Sequence, residues 1–284
     1  MAEGGSDGAS WRTTTGDRAV ATIRYAAATE PRRGSSANQD ALVIQPPVFL
    51  VADGMGGHRD GGAASGAVAD EFQRLARSPG ITVEQVRDCL ARCEVRVEAL
   101  ADGAGPAPGS TLVALVLVEQ DDVPYWLMVN LGDSRVYRLF EGTLDQLSHD
   151  HSVVQELIDA GEIREDDART HPERNVITRA IGVEAPEGGA DYSLIPVVGR
   201  SVLVLCSDGV SSELDSERIR SIVDGAPSPA ECARHLVAAA MAEGGRDDAT
   251  AVVVEVVSVG DVTEDGPGAP TPAEVDTVPG GAGR

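Results

Sequence analysis

The sequence predicts an α+β fold in which mostly antiparallel sheets are covered by helices, and three observations carry that expectation. Short β-rich runs come in groups instead of alternating strictly with helices. Several of these runs are apolar throughout, as at 112–118, which marks strands buried on both faces. The helical patterns arrive in blocks with their own start signals.

In chain order, β-rich runs at 19–29, 41–45 and 48–52 come first. A helix is expected over 62–77, where Ala64, Val68, Phe72 and Leu75 fall on one face. The next, over 82–100, opens with a capping box from Thr82 to Gln85 and repeats Val83, Val86, Leu90, Cys93, Val97 and Leu100 at helical spacing. Strands are expected at 111–118, 125–131, 135–140 and 201–206. Ser228 starts another helix, with Pro229 at its first position and Glu231 closing a second box, running through Leu236 towards Met241. A strand at 251–257 ends the series. Residues 1–17 are rich in Gly, Ser and Thr, and 258–284 in Gly, Pro, Glu and Thr, so both are expected to be disordered tails around one domain, 18–257.

Composition narrows the partners. The 284 residues are 42% hydrophobic, enough for a substantial core. A net charge of −23, from 46 acidic against 23 basic residues, repels phosphate backbones, so neither nucleic acid nor an anionic membrane is an expected partner. The longest apolar run, 112–118, falls far short of the ~18 residues of a membrane span. The first ten residues carry no basic and apolar leader, so the cytoplasm is the expected compartment, with Cys89, Cys93, Cys206 and Cys232 as reduced thiols. Cys89 and Cys93 lack a second Cys/His pair for zinc. Cys206 lacks the following basic residue that a thiolate phosphatase loop needs.

The chemistry lies where strands stop. Val48-Phe49-Leu50-Val51-Ala52 runs into Asp53-Gly54, and Val202-Leu203-Val204-Leu205-Cys206 runs into Ser207-Asp208-Gly209. In both, a buried strand delivers a carboxylate and a glycine permits a sharp turn, so the Gly54 carbonyl could itself be a ligand. One Asp-Gly is an ordinary turn signal, but here it recurs. Asp133 follows the 125–131 run, Asp247 precedes the final strand, and Asp40 opens the 41–45 run. Hard oxygen donors of this kind suit Mg²⁺ or Mn²⁺. Two such ions about 3.5–4 Å apart lower the pKa of a bridging water and hold it for in-line attack on phosphorus.

Four motifs in order, Val51-Ala52-Asp53-Gly54-Met55-Gly56-Gly57-His58, Gly132-Asp133-Ser134-Arg135, Leu205-Cys206-Ser207-Asp208-Gly209 and Gly245-Arg246-Asp247-Asp248-Ala249-Thr250, resemble the metal-dependent protein phosphatase family, or protein phosphatase 2C, especially its bacterial members. Asn38-Gln39-Asp40-Ala41 and Gly109-Ser110-Thr111 add to the resemblance, which spans about 19–257. It implies a four-layer α-β-β-α sandwich with two central antiparallel sheets. It also implies that Asp53 bridges two core ions, with the Gly54 carbonyl on the second and Asp208 and Asp247 on the first. Asp133, sharing Asp208, would complete a weaker third site, and Asp40 would act through metal-bound water. The implied activity is that of a serine/threonine phosphatase hydrolysing phosphoserine and phosphothreonine by attack of a metal-bridging hydroxide. Its substrates would be phosphoproteins made by a serine/threonine kinase, and a monomer is expected. A metal-dependent phosphoprotein-binding module without turnover and a small-molecule phosphomonoesterase are the alternative readings.

Three positions depart from the family pattern. Ser35 stands five before Asp40, where an arginine commonly binds phosphate in the family, leaving Arg33 either as the candidate for that role or as a solvent-exposed side chain. Met55 stands where animal members place a histidine acid, and His58 is either a replacement acid or structural. Asp248 replaces the more frequent asparagine, either adding charge to the site or capping a turn. The segment 149–175 resembles the family's flap. Its His149, His151 and His171 fit hydrogen-bonding roles better than a zinc site, and Arg135 and Arg179 read as partners of carboxylates.

Overall fold

The computed structural model describes residues 9–15, 18–56, 60–101, 103, 107–120, 123–183 and 189–259. The first half runs β1 (Ala9–Thr15), β2 (Arg18–Glu30), β3 (Asp40–Gln45), β4 (Val48–Met55), α1 (Asp60–Leu75), α2 (Val83–Glu98), β5 (Gly109–Ser110), β6 (Leu112–Gln120) and β7 (Val123–Leu131). The second runs β8 (Arg135–Phe140), β9 (Thr143–Gln146), α3 (Val153–Asp159), α4 (Glu165–Ala168), β10 (Asp191–Pro196), β11 (Ser201–Cys206), α5 (Asp208–Ser211), α6 (Ser216–Gly225), α7 (Pro229–Glu243) and β12 (Ala249–Val259).

One sheet has the order β1-β2-β12-β11-β8-β9 and the other β10-β7-β6-β4-β3, with β5 paired to β4. All of these neighbours are antiparallel. The run Val48–Ala52 is apolar throughout because its two faces meet different layers. Leu50 and Ala52 pack with Val68, Phe72, Val86 and Leu90 of α1 and α2. Phe49 and Val51 point the other way, into an inter-sheet core with Ile23, Trp126, Leu203, Val252 and Val254. The outer face of the first sheet, with Val204, Cys206, Ala251 and Val253, is covered by Ile219 and Val223 of α6 and Leu236 and Val237 of α7. The result is the expected α-β-β-α order, with each strand's period-two alternation feeding two cores.

The helix signals act as expected at two starts. Thr82 accepts the Gln85 N–H while the Gln85 side chain accepts the Thr82 N–H, completing the box. Ser228 accepts the Glu231 N–H ahead of Pro229, which is one half of the second box. The expected 1–17 tail is corrected: Ala9–Thr15 pairs with β2 as an edge strand, and residues 1–8, 16 and 17 lie outside the described residues. At the other end β12 extends to Val259, two residues past the expected stop, and 260–284 lie outside the described residues.

Between α1 and α2, the Glu71 carboxylate is 4% exposed and takes Arg74, Arg92 at 3.1 Å and Arg96 at 3.1 Å. Burial alone would raise its pKa, but the three arginines outweigh it and hold the group below its usual 4.5. A depressed carboxylate pKa stabilises the fold above the unfolded value and loses that contribution as pH falls through the folded one. Glu71→Gln is therefore expected to lower Tm more at pH 7 than at pH 3; equal losses at both would contradict the ion-pair account.

Candidate functional site

The candidate carboxylates gather at one end of the paired sheets. Asp40 and Asp53 face each other across the β3–β4 ladder. The Asp53 N–H donates to Thr111 Oγ1 at 3.0 Å, the Thr111 N–H donates to the Asp53 carbonyl at 2.9 Å, and Thr111 Oγ1 lies 2.7 Å from Ser134 Oγ. That chain of bonds ties the end of β4 to the turn carrying Asp133. Gly132, with φ +106°, lets this turn form; a Cβ there would sit 2.7 Å from the Thr111 side chain. Gly54 has no room for a side chain either, since a Cβ would come within 2.1 Å of the Gly61 carbonyl at the start of α1.

From the other sheet, β11 delivers Ser207 and Asp208. The Ser207 hydroxyl donates to Asp40 Oδ2 at 2.8 Å and accepts the Thr250 N–H at 3.0 Å, linking both sheets at the site. Asp247 lies at the rim, exposed, its Oδ1 accepting the Asp248 N–H at 2.9 Å.

These groups are close enough to govern one another's charge. Burial, then the charges of Asp40, Asp208 and Asp133, hold Asp53 well above the usual carboxylate range. Burial pushes Asp40 up to about 8, with Asp208 and Asp248 adding to it against hydrogen bonds from Thr250 and Ser207. Burial and then Asp208 and Asp150 raise Asp133 strongly, and burial followed by Asp247 raises Asp208 to about 6. Mutual elevation of this kind is what crowded carboxylates show when no cation balances them. Asp40 Oδ1, Asp133 Oδ1 and Asp208 Oδ1 are buried without a hydrogen-bond partner. A buried carboxylate oxygen without a partner is costly, and hard divalent cations at the cluster, directly or through bound water, would satisfy such oxygens. The donor set thus fits Mg²⁺ or Mn²⁺. Among the described residues no three His, Cys, Asp or Glu side chains close into a compact shell, and Asp247 lies exposed at the rim.

Arg33 is engaged at a helix end. Its guanidinium donates to the Met241 carbonyl at 2.6 Å and reaches Ala242 at 3.5 Å, while its N–H donates to Gly245. It therefore caps the C-terminus of α7, where unpaired carbonyls and the negative helix end attract a cation. Arg33→Ala is expected to cost under about 1 kcal/mol of stability and to leave KM for a phosphopeptide within twofold; a tenfold rise in KM would return Arg33 to phosphate capture. Ser35 is used locally, its hydroxyl bonding Ala37. His58 lies outside the described residues.

The flap segment supports the site from behind. Asp150 takes Arg135 through Nε and Nη2, the latter at 2.7 Å. His151, 3% exposed, accepts the Gly132 N–H at Nδ1 and faces Asp191 through Nε2 at 3.1 Å, which fixes the Nε2–H tautomer. His149 pairs with Asp159, and His171 accepts the Glu173 N–H. The three histidines thus have separate hydrogen-bonding roles, and Arg179 lies 3.7 Å from Asp191. Sequence reasoning missed Ser207, Ser134 and the hydroxyl role of Thr111. Their neighbours in the motifs were the only signal, because a serine's partner across sheets leaves no local pattern.

Residues 29–243 match the family model described as protein phosphatase 2C. The serine/threonine phosphatase stp of Listeria monocytogenes is 33% identical over 219 residues, covering 74% of this chain and 84% of the relative. The serine/threonine protein phosphatase PstP of Mycobacterium tuberculosis is 31% identical over 249 residues, covering 84% of this chain and 46% of the relative. Among solved structures, the PstP catalytic domain in complex with two manganese ions matches with a TM-score of 0.74 at 29% identity, over 83% of this chain and 99% of that one. The Mycobacterium smegmatis phosphatase MsPP in complex with cacodylate matches at 0.73 and 32% identity, over 81% of this chain and 97% of that one.

Proposed function

This chain belongs to the protein phosphatase 2C family, and from that premise we propose that it is a metal-dependent protein serine/threonine phosphatase whose reaction runs at the Asp53–Asp208 cluster. The observation that carries the placement is the set of buried, unpartnered oxygens on Asp40, Asp133 and Asp208. Asp53, the Gly54 carbonyl, Asp208 and Asp247 would hold two core ions, and Asp133 with Asp208 a weaker third. When bound, such ions neutralise the phosphoryl oxygens and activate water for attack on phosphorus.

The rest falls to the chain itself. The Ser207 hydroxyl fixes one oxygen of Asp40, leaving the other buried without a partner. The Thr111–Ser134 pair holds Asp53 and Asp133 at fixed separation, so the ligands need little rearrangement. Arg33, Arg135 and Arg179 face other partners, so phosphate capture is left chiefly to cations in a protein of net charge −23. The catalytic domain is read as 18–257 together with β1. Among the described residues no helix is long and apolar enough to cross a membrane. The described cysteines are free and buried, and the reading adds a cytoplasmic, monomeric enzyme acting on serine/threonine kinase products.

Phosphate release from a phosphothreonine peptide is expected to require Mn²⁺ or Mg²⁺ and to exceed release from small phosphate esters in kcat/KM. No release at any metal concentration would refute the activity, and preference for small esters would move the substrate class. Asp133→Ala is expected to keep two tight Mn²⁺ sites in a calorimetric titration while losing a weaker third; an unchanged stoichiometry would remove Asp133 from the ligands.

A further inference from the structure

We propose that Asp248 is a positioning residue whose two carboxylate oxygens, by accepting the Arg32 and Gln39 N–H groups, set the spacing of the divalent-cation ligands. The proposal rests on the ligand reading above. Asp248 is 3% exposed, and its Oδ1 and Oδ2 accept these N–H groups at 2.8 and 2.7 Å, from residues 216 and 209 positions away in sequence. It is thus a clasp between distant segments, which a turn cap is not.

Through its polar groups the residue touches Asp247 and the chain neighbours of Asp40 and Asp208. Gln39 precedes Asp40, and its carbonyl accepts the Gly54 N–H at 3.2 Å and the Ser65 hydroxyl at 2.5 Å, so the clasp extends to the Asp53-Gly54 end of β4. The Asp248 N–H donates to Asp247 Oδ1 at 2.9 Å and orients that carboxylate. Its carbonyl presses on Gly209, where a Cβ would come within 2.1 Å, and lies 3.3 Å from Ser207 Oγ. Asp40, Asp53, Asp208 and Asp247 therefore all take their positions partly from one buried side chain and its peptide groups.

The geometry demands two acceptors. An asparagine keeps the shape but turns an NH₂ donor towards an N–H donor, losing one charge-assisted bond and leaving a buried donor unpaired. The asparagine more frequent in the family is thus not interchangeable with Asp248 in this chain.

The test titrates Mn²⁺ calorimetrically into the full chain as wild type, Asp248→Asn, Arg32→Pro, Arg32→Ala and Glu71→Gln, with the Tm of each measured in EDTA. Asp248→Asn is expected to bind Mn²⁺ about 10-fold or more weakly, the loss typical of groups that orient metal ligands. Arg32→Pro, which deletes the backbone donor together with the guanidinium and keeps the carboxylate, is expected to weaken binding severalfold where Arg32→Ala, which keeps the backbone donor, does not, and the pair decides the matter if Asp248→Asn does not fold. Glu71→Gln, destabilised far from the cluster, is expected to bind as wild type does. Wild-type affinity in a folded Asp248→Asn, or in Arg32→Pro, overturns the clasp. So does an equal loss in Glu71→Gln, which would tie affinity to global stability. A wild type that takes up no Mn²⁺ overturns the ligand reading and the clasp together.

Discussion

Asp208→Ala is expected to lower metal-dependent phosphate release from a phosphothreonine peptide by at least about a thousandfold, or ~4 kcal/mol of barrier. Asp208 is shared by both halves of the cluster. Its charge raises Asp53, Asp40 and Asp133, and one of its oxygens is buried without a partner. On the proposed assignment, its removal would take a ligand from the core pair and from the third site at once. It also relieves crowding among the remaining carboxylates, so the variant is expected to be at least as stable as the metal-free wild type while inactive. Undiminished release would place the reaction elsewhere, and a collapse of Tm in EDTA would contradict the crowding account.

The second large effect lies in the inter-sheet core. Phe49 is fully buried on the β4 face opposite Leu50, with edge contacts to Tyr25 at 5.2 Å and Trp126 at 6.0 Å between ring centroids. It joins one sheet to the other four residues before Asp53. Phe49→Ala is expected to cost about 3–5 kcal/mol through lost burial and the cavity left behind. Against a typical total of about 5–15 kcal/mol, that removes a large share of stability. Urea denaturation measures it directly; a loss under about 1 kcal/mol would mean that the two sheets do not depend on this contact.

Much of this architecture was legible because it is written locally. The strands that carry Asp53 and Asp208 are buried on both faces, so their continuous apolar runs declare them, and the Asp-Gly pairs mark where they stop. Thr82 and Ser228 announced helices through caps that act within three residues. The elements that escaped are short or half-exposed. β10 alternates without full burial, α4 has no buried residue, and α6 fully buries Ile219 and Val223 alone behind its Asp215 cap. β1 escapes a sequence reading because Ala9–Thr15 sits next to a Gly- and Ser-rich stretch and has no run of apolar residues, so only its pairing to β2 declares it.

The site divides in the same way. The aspartates stood in motifs, and the structure brings Asp40, Asp53, Asp133 and Asp208 together. What holds them apart was not legible, because Ser207 to Asp40, Thr111 to Ser134 and Asp248 to Arg32 and Gln39 join residues distant in sequence. Arg33 illustrates the converse. Its place near Asp40 suggested phosphate, but the nearer demand was the open end of α7, which sequence spacing does not reveal.

The convergence of Asp53, Asp208 and Asp247 on divalent cations is tested most directly by anomalous diffraction from crystals grown or soaked with Mn²⁺. The expected result is two strong manganese peaks bounded by Asp53, the Gly54 carbonyl, Asp208 and Asp247, both lost in Asp208→Ala crystals. Absence of peaks at saturating Mn²⁺, or peaks held by other residues, would contradict the assignment.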